Sequence, residues 1–190
     1  EEFGILSTSQ IRRLYFPKIR RTTALRRLRA LKKAGYLKTS TGLDCGELVW
    51  FLRHKGAKAI GSSFVMKTIN RNVLFHDIRA NDVKIKIDDM GIGKNWRCSH
   101  YLRHKATLNQ VPELRVKDTI PDWLFTLQKN GSDMACALEL ELQLKSKTRI
   151  IDTLLKYVDK KSIKFLWYVF PTRKFGDRYM EIFGELWNQP

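Results

Sequence analysis

Asn130-Gly131 constrains this chain more than any other pair of residues. Asn-Gly supplies the two positive-φ positions of a type I′ turn, and here it separates two apolar stretches, 120–128 and 135–144. That arrangement predicts an antiparallel β-hairpin with its register fixed by the turn. With Asn130 and Gly131 as the central turn residues, facing positions sum to 261, so Asp122 stands opposite Glu139 on the same face. Their carboxylates would lie about 5 Å apart, with Glu141 close by. From Ala135 to Leu144 the residues alternate: Cys136, Leu138, Leu140, Leu142 and Leu144 point one way, and Glu139, Glu141, Gln143 and Lys145 the other. A strand of this kind has one core face and one ionic face.

Carboxylates placed side by side repel and raise one another's pKa, so a fold that keeps them needs compensation. Two sources fit. One is a divalent cation: Mg²⁺ or Mn²⁺ favours a few carboxylate oxygens together with water and phosphate, which suits metal-assisted phosphodiester hydrolysis. The other is pairing with Lys145, Lys147, Arg149 or cross-strand lysines on a solvated sheet face.

The rest of the second half reads as a helix over 65–80 and an alternating strand Val83, Ile85, Ile87. Asp89-Met90-Gly91 turns the chain, and 95–104 is compatible with strand or helix. A helix over 148–160, a buried central strand over 164–170 ended by Pro171, and a helix over 177–187 follow. The order αβββαβ plus a final helix predicts an α/β domain whose last strand, reached by a helical crossover, runs parallel to a neighbour. Cys98, His100 and His104 would share a helical face, yet they lack a nearby fourth ligand for zinc. Gly91-Ile92-Gly93 has no downstream partner of a nucleotide-binding loop.

The first half differs in charge. Residues 1–70 hold 15 Lys or Arg against 4 Asp or Glu, and 12–38 contain eleven basic residues and no acid. Ordinary surfaces mix both signs. Ser7-Thr8-Ser9 offers an N-cap for a helix over 8–16, broken by Pro17. A second helix, capped near Thr22 or Thr23, places Leu25, Leu28 and Leu31 in a core stripe and ends at Gly35. Tyr36 to Thr39 reads as a polar loop continuing through Gly42 and Gly46; 47–52 reads as short strands joined by a wing, and 56–60 as a closing helix. Helix, turn, basic helix and hairpin make a winged helix-turn-helix. On that reading Arg26, Arg29 and Lys33 face bases or phosphates, Arg20, Arg21, Lys32 and Lys38 face the backbone, and Arg27, also off the core stripe, completes the DNA-binding set. A small basic domain binding RNA or protein is the alternative, and RNA-specific motifs are missing.

Over the whole chain, 36 Lys and Arg against 19 Asp and Glu give +17, which calls for a polyanionic partner. Three cysteines, Cys45, Cys98 and Cys136, form neither a disulfide framework nor a zinc pattern, and a reducing, cytoplasmic setting is expected. No apolar run approaches membrane-spanning length, so no membrane partner is expected.

Pro121-Asp122 on one strand and Glu139-Leu140-Glu141 on the next, within the order αβββαβ, resemble the PD-(D/E)XK nuclease superfamily. The resemblance implies a restriction-endonuclease-like fold with Asp122 and Glu139 as metal-binding acids and Glu141 where Lys is usual. Were Glu141 the metal acid, Gln143 would hold the Lys position and Lys145 would reach in from beyond it. Asp77 matches the acid that the superfamily often adds on its first helix. The chain as a whole is similar to the replication-relaxation family of bacterial mobile elements. Gln10-Ile11-Arg12-Arg13-Leu14, Leu28-Arg29-Ala30-Leu31, Gly35-Tyr36, His76-Asp77, Pro121-Asp122, Glu139-Leu140-Glu141 and Lys145-Ser146 carry that likeness. It implies a plasmid, transposon or phage context and double-stranded DNA as ligand.

The expectation is therefore a winged helix-turn-helix over 1–63 and a nuclease-like α/β domain over 64–190, serving replication, mobilisation or regulation of a mobile element. The second domain is either catalytically quiet or a Mg²⁺- or Mn²⁺-dependent endonuclease using Asp122, Glu139, Glu141 and Lys145. A homodimer would suit a palindromic site.

Overall fold

The structure, a computed structural model, describes residues 3–41, 46–66, 69–108, 110–111, 114, 119–129 and 131–187. It is a mixed α+β chain with two sheets and divides into two compact units, Glu1–Lys86 and Ile87–Pro190.

In the first unit the chain forms β1 (Leu6–Ser7), α1 (Thr8–Tyr15), α2 (Arg21–Lys33), β2 (Leu37–Ser40), β3 (Val49–Leu52), α3 (His54–Ala59) and most of α4 (Arg71–Asp89). Ser7 starts α1 with a capping box: its side chain accepts from Gln10 N–H while the Gln10 side chain accepts from Ser7 N–H. The sheet has the order β1-β3-β2, all antiparallel. Ile11, Leu28 and Trp50 form its core, flanked by Leu25 and Leu37. The Gln10 side-chain amide also donates to Ile78 O at 2.7 Å and Asp82 Oδ1 at 3.0 Å, and Asn81 donates to Ile5 O at 2.7 Å. These buried bonds hold α4 against the start of the chain.

Four sequence expectations change here. Arg20, not Thr22 or Thr23, is the N-cap of α2, and it offers no side-chain cap. Leu31 is exposed while Ala24 is fully buried, so the inner stripe of α2 is Ala24 and Leu28 with Leu25 at its edge. Leu37 to Ser40, expected as loop, is the first strand of the hairpin because it pairs residue by residue with Val49–Leu52. Gly42 and Cys45 lie outside the described residues. Val83 to Ile87 is helix rather than strand. Leu74, Ile78 and Ile85 recur at helical spacing on the buried side of α4, and that period overrides the short alternation.

The second unit contains β4 (Gly93–Cys98), α5 (Ser99–Ala106), β5 (Trp123–Lys129), β6 (Ser132–Leu140), α6 (Lys147–Val158), β7 (Phe165–Val169) and α7 (Arg173–Trp187). Residues 95–104 thus divide between β4 and α5. The sheet order is β4-β5-β6-β7, with β6 and β7 parallel across the α6 crossover, as expected. The β5–β6 register runs from Trp123↔Leu138 to Gln128↔Asp133, the predicted sum of 261. Gly131 takes φ +74° in the turn, and Asn130 lies outside the described residues.

On one face, Trp96 stacks on Phe125 (centroids 4.1 Å apart), which meets Trp167 edge-on at 5.3 Å. A Cβ on Gly93 would stand 2.5 Å from the Trp96 ring, so this glycine makes room for the stack. On the other face Leu166 and Tyr168 pack under α6 and α7 through Ile150, Leu154, Tyr179 and Ile182. Two expectations change. β7 is an edge strand, not a central one, and all five of its residues are only partly buried, with Leu166 and Tyr168 packed under α6 and α7. β6 stops at Leu140, where the Leu140 N–H goes to the Asp122 carboxylate (2.8 Å); one last ladder bond to β7, Glu141 N–H to Val169 O (2.9 Å), follows before the chain turns into α6, and Leu144 is exposed.

Candidate functional site

Two groups of residues were singled out in advance, and each falls within one unit. In the first unit, Arg20 precedes α2, Arg21, Arg26, Arg27, Arg29, Lys32 and Lys33 lie on it, and Lys38 lies on β2. All eight are exposed. Because Ala24 and Leu28 turn inward, the basic positions between them are left to the solvent side. Arg27 rests its guanidinium 5.5 Å from the Phe16 ring, and the Lys32 ammonium donates to Thr39 Oγ1 at 2.7 Å, tying the end of α2 to β2. The unit as a whole holds 19 Lys or Arg against 6 Asp or Glu.

In the second unit the acids gather at the end of β6. Asp122 immediately precedes β5, and its carboxylate accepts the Leu140 N–H. Glu139 accepts a hydrogen bond from the Tyr157 hydroxyl on α6. Glu141, buried at 4% exposure just past β6, is paired with Lys145. Burial and then the charge of Asp122 push the Glu139 carboxyl up to about 8; the Tyr157 hydrogen bond and Lys145 oppose the rise only in part. The same burial, with Glu139 beside it, drives the Tyr157 hydroxyl far above the phenol range, so it stays a donor.

Three tyrosines around these acids were not anticipated. Tyr157 sits on the inner stripe of α6 with Ile150 and Leu154, a spacing legible as core. Tyr168 is the parallel-strand partner of Glu139, and Tyr179 of α7 packs on Tyr168 at 5.3 Å between centroids. The hydroxyl of Tyr168 is buried without a hydrogen-bond partner among the described residues, and that of Tyr179 faces Glu141. Burial first and the neighbouring glutamates second raise both well above the phenol range.

Hard carboxylate oxygens are the right donor type for Mg²⁺ or Mn²⁺. As arranged, however, each acid is already engaged: Asp122 by a backbone amide, Glu139 by a tyrosine, Glu141 by a lysine. Glu139 also favours its neutral form near neutral pH. Among the described residues no three His, Cys, Asp or Glu side chains converge as a metal-holding group. The residues therefore do not fit a bound cation in this arrangement, and no reaction step is routed through one. Asp77 lies in the first unit, 3.9 Å from His76 Nδ1 through its Oδ1. No helix among the described residues is long and apolar enough to cross a membrane.

No curated protein and no solved structure matches the chain. Among protein families, the one described as Replication-relaxation matches residues 1–163. That match takes in the capped α1, basic α2, the hairpin with Asp122 and Glu139, and the whole of α6. The family model thus covers most of the 190 residues: the chain belongs to the replication-relaxation family.

Proposed function

We propose that this protein binds double-stranded DNA in the replication, mobilisation or regulation of a mobile element. On this reading the first unit acts as a winged helix-turn-helix, and the second is a nuclease-like domain that is catalytically quiet. The observation that carries the proposal is the basic face of α2 and β2: eight exposed Lys and Arg in a segment free of acids. A helix of this composition suits the major groove, where Arg reads guanine edges and Lys neutralises phosphates. α2 follows a capped helix and precedes an antiparallel hairpin, the element order of that motif.

The quiet second domain is supported by the way its acids are satisfied internally. A carboxyl held largely neutral by burial and by the charge of Asp122, and a second one closed onto Lys145, are poor partners for a cation. Equilibrium binding of a fluorescent duplex over a range of salt, with and without EDTA, tests the proposal. Tight binding that weakens steeply with salt and ignores EDTA is expected. A flat salt response, or binding abolished by EDTA, would contradict it.

A further inference from the structure

The first unit holds a second basic feature, which shares only Lys38 with the face of α2 and β2. A cavity of about 350 Å³ is lined by Lys38 of β2, Arg53 before α3, His54 and Lys55 at the start of α3, and Val65 and Met66. That volume lies within the range small ligands occupy, about 300–1,000 Å³. No acidic side chain lines it, and among the described residues none of the four basic side chains has a carboxylate partner.

The frame around these cations is fixed by backbone contacts. Gly35 takes φ +82° and reverses the chain after α2, and Tyr36 O then accepts the Arg53 N–H at 2.9 Å. Gly56 lies so close to Tyr36 that a Cβ there would stand 2.3 Å from the Tyr36 carbonyl oxygen. α3 is thereby seated against the start of β2. The Lys55 ammonium donates to Ala34 O at 2.9 Å and stands 4.5 Å from the Tyr36 ring centroid, which leaves two of its three protons for a ligand. Lys55 is a pre-oriented cation rather than a freely moving one, so less side-chain entropy is lost when it meets an anion.

We infer that Lys38, Arg53, His54 and Lys55 form a phosphate-binding pocket that grips the DNA backbone beside the basic face of α2. The proposal rests on the duplex-binding reading above. Continuity favours a backbone phosphate over a free anion: Lys55 bonds the carbonyl of Ala34, the C-cap of α2, and Gly35, which follows it, lines the cavity. The pocket thus adjoins the α2 face within one unit. Arg53 supplies a planar guanidinium suited to two phosphate oxygens, and Lys38 and Lys55 supply point charges.

The test is fluorescence anisotropy of a labelled duplex at several salt concentrations with the full chain. Arg53→Gln and Lys38→Gln are the informative variants, since both side chains are exposed and neither holds the frame; thermal melting verifies the fold. Each is expected to weaken binding about 3- to 10-fold and to lower the salt slope by about one, with the melting temperature unchanged. Unchanged affinity and slope in Arg53→Gln, a residue outside the α2 and β2 face, while Arg26→Ala with Arg29→Ala still weakens binding, would overturn this proposal alone. A wild type that binds no duplex would overturn both the DNA reading and the pocket. Inorganic phosphate is the second probe, at constant ionic strength. If it stabilises the wild type but not the double variant, and duplex affinity is the same in both, the pocket holds a free anion and the backbone assignment fails.

Discussion

The two units treat charge in opposite ways. The first carries 19 basic against 6 acidic residues and leaves the eight of its candidate face exposed. The second is nearer balance, 17 against 13, and folds Glu139 and Glu141 among tyrosines and Lys145 beside a sheet packed with aromatics. Unneutralised surface charge repels itself and is tolerated where a counter-charged ligand removes the repulsion. Buried charge must instead be neutralised from within. On the proposed reading this contrast suits the first unit to a partner outside the molecule, whereas the acids of the second already have theirs.

The largest effect that sharpens the contrast is on packing. Phe125→Ala removes the ring between Trp96 and Trp167 and should cost about 3–5 kcal/mol in chemical denaturation, while duplex affinity of the native protein is kept. A parallel loss of affinity would break the separation of roles. Next comes pH. A Glu139 pKa raised to about 8 from the ordinary 4.5 means that the native state binds the extra proton. Stability from this group is therefore complete below the ordinary value and lost as pH rises through about 8. Across that window wild type should lose about 2–4 kcal/mol more than Glu139→Gln, which keeps an acceptor for Tyr157 and carries no charge. Parallel pH curves would show that the carboxyl is ionised throughout.

On the first unit, Arg26→Ala combined with Arg29→Ala should lower duplex affinity by about 1–3 kcal/mol, with stability changed by less than about 0.5 kcal/mol. No change in affinity would remove α2 from the interface. The smallest effect is at Gln10, which caps α1 and bonds Ile78 O and Asp82; Gln10→Ala should reduce thermal stability by about 1–2 kcal/mol without altering the salt slope.

These contrasts were unevenly legible in the sequence. The hairpin register could be read because an Asn-Gly turn leaves one pairing, and all seven described pairs keep it. The basic face could be read because charge composition needs no structure. The end of β6 could not: Leu142 and Leu144 continue the alternation, but a side chain, Asp122, takes the amide that a neighbouring strand would otherwise use. Val83 to Ile87 failed because five alternating residues also fit the last turns of a helix, and only Leu74 and Ile78 upstream reveal the longer period. The tyrosines around Glu139 were hidden for another reason. Tyr168 meets it through a parallel register set across a whole crossover, which no local pattern encodes.

The most direct test of a binding unit joined to a quiet nuclease-like unit is one gel of supercoiled plasmid. Protein is added in Mn²⁺ or in EDTA, and each sample is run before and after protease digestion. A mobility shift that protease abolishes in both buffers, with the plasmid left supercoiled, is the predicted result. Nicked or linear DNA that survives protease only with Mn²⁺, and is absent for Asp122→Ala, would contradict the account and make the carboxylate group a catalytic centre.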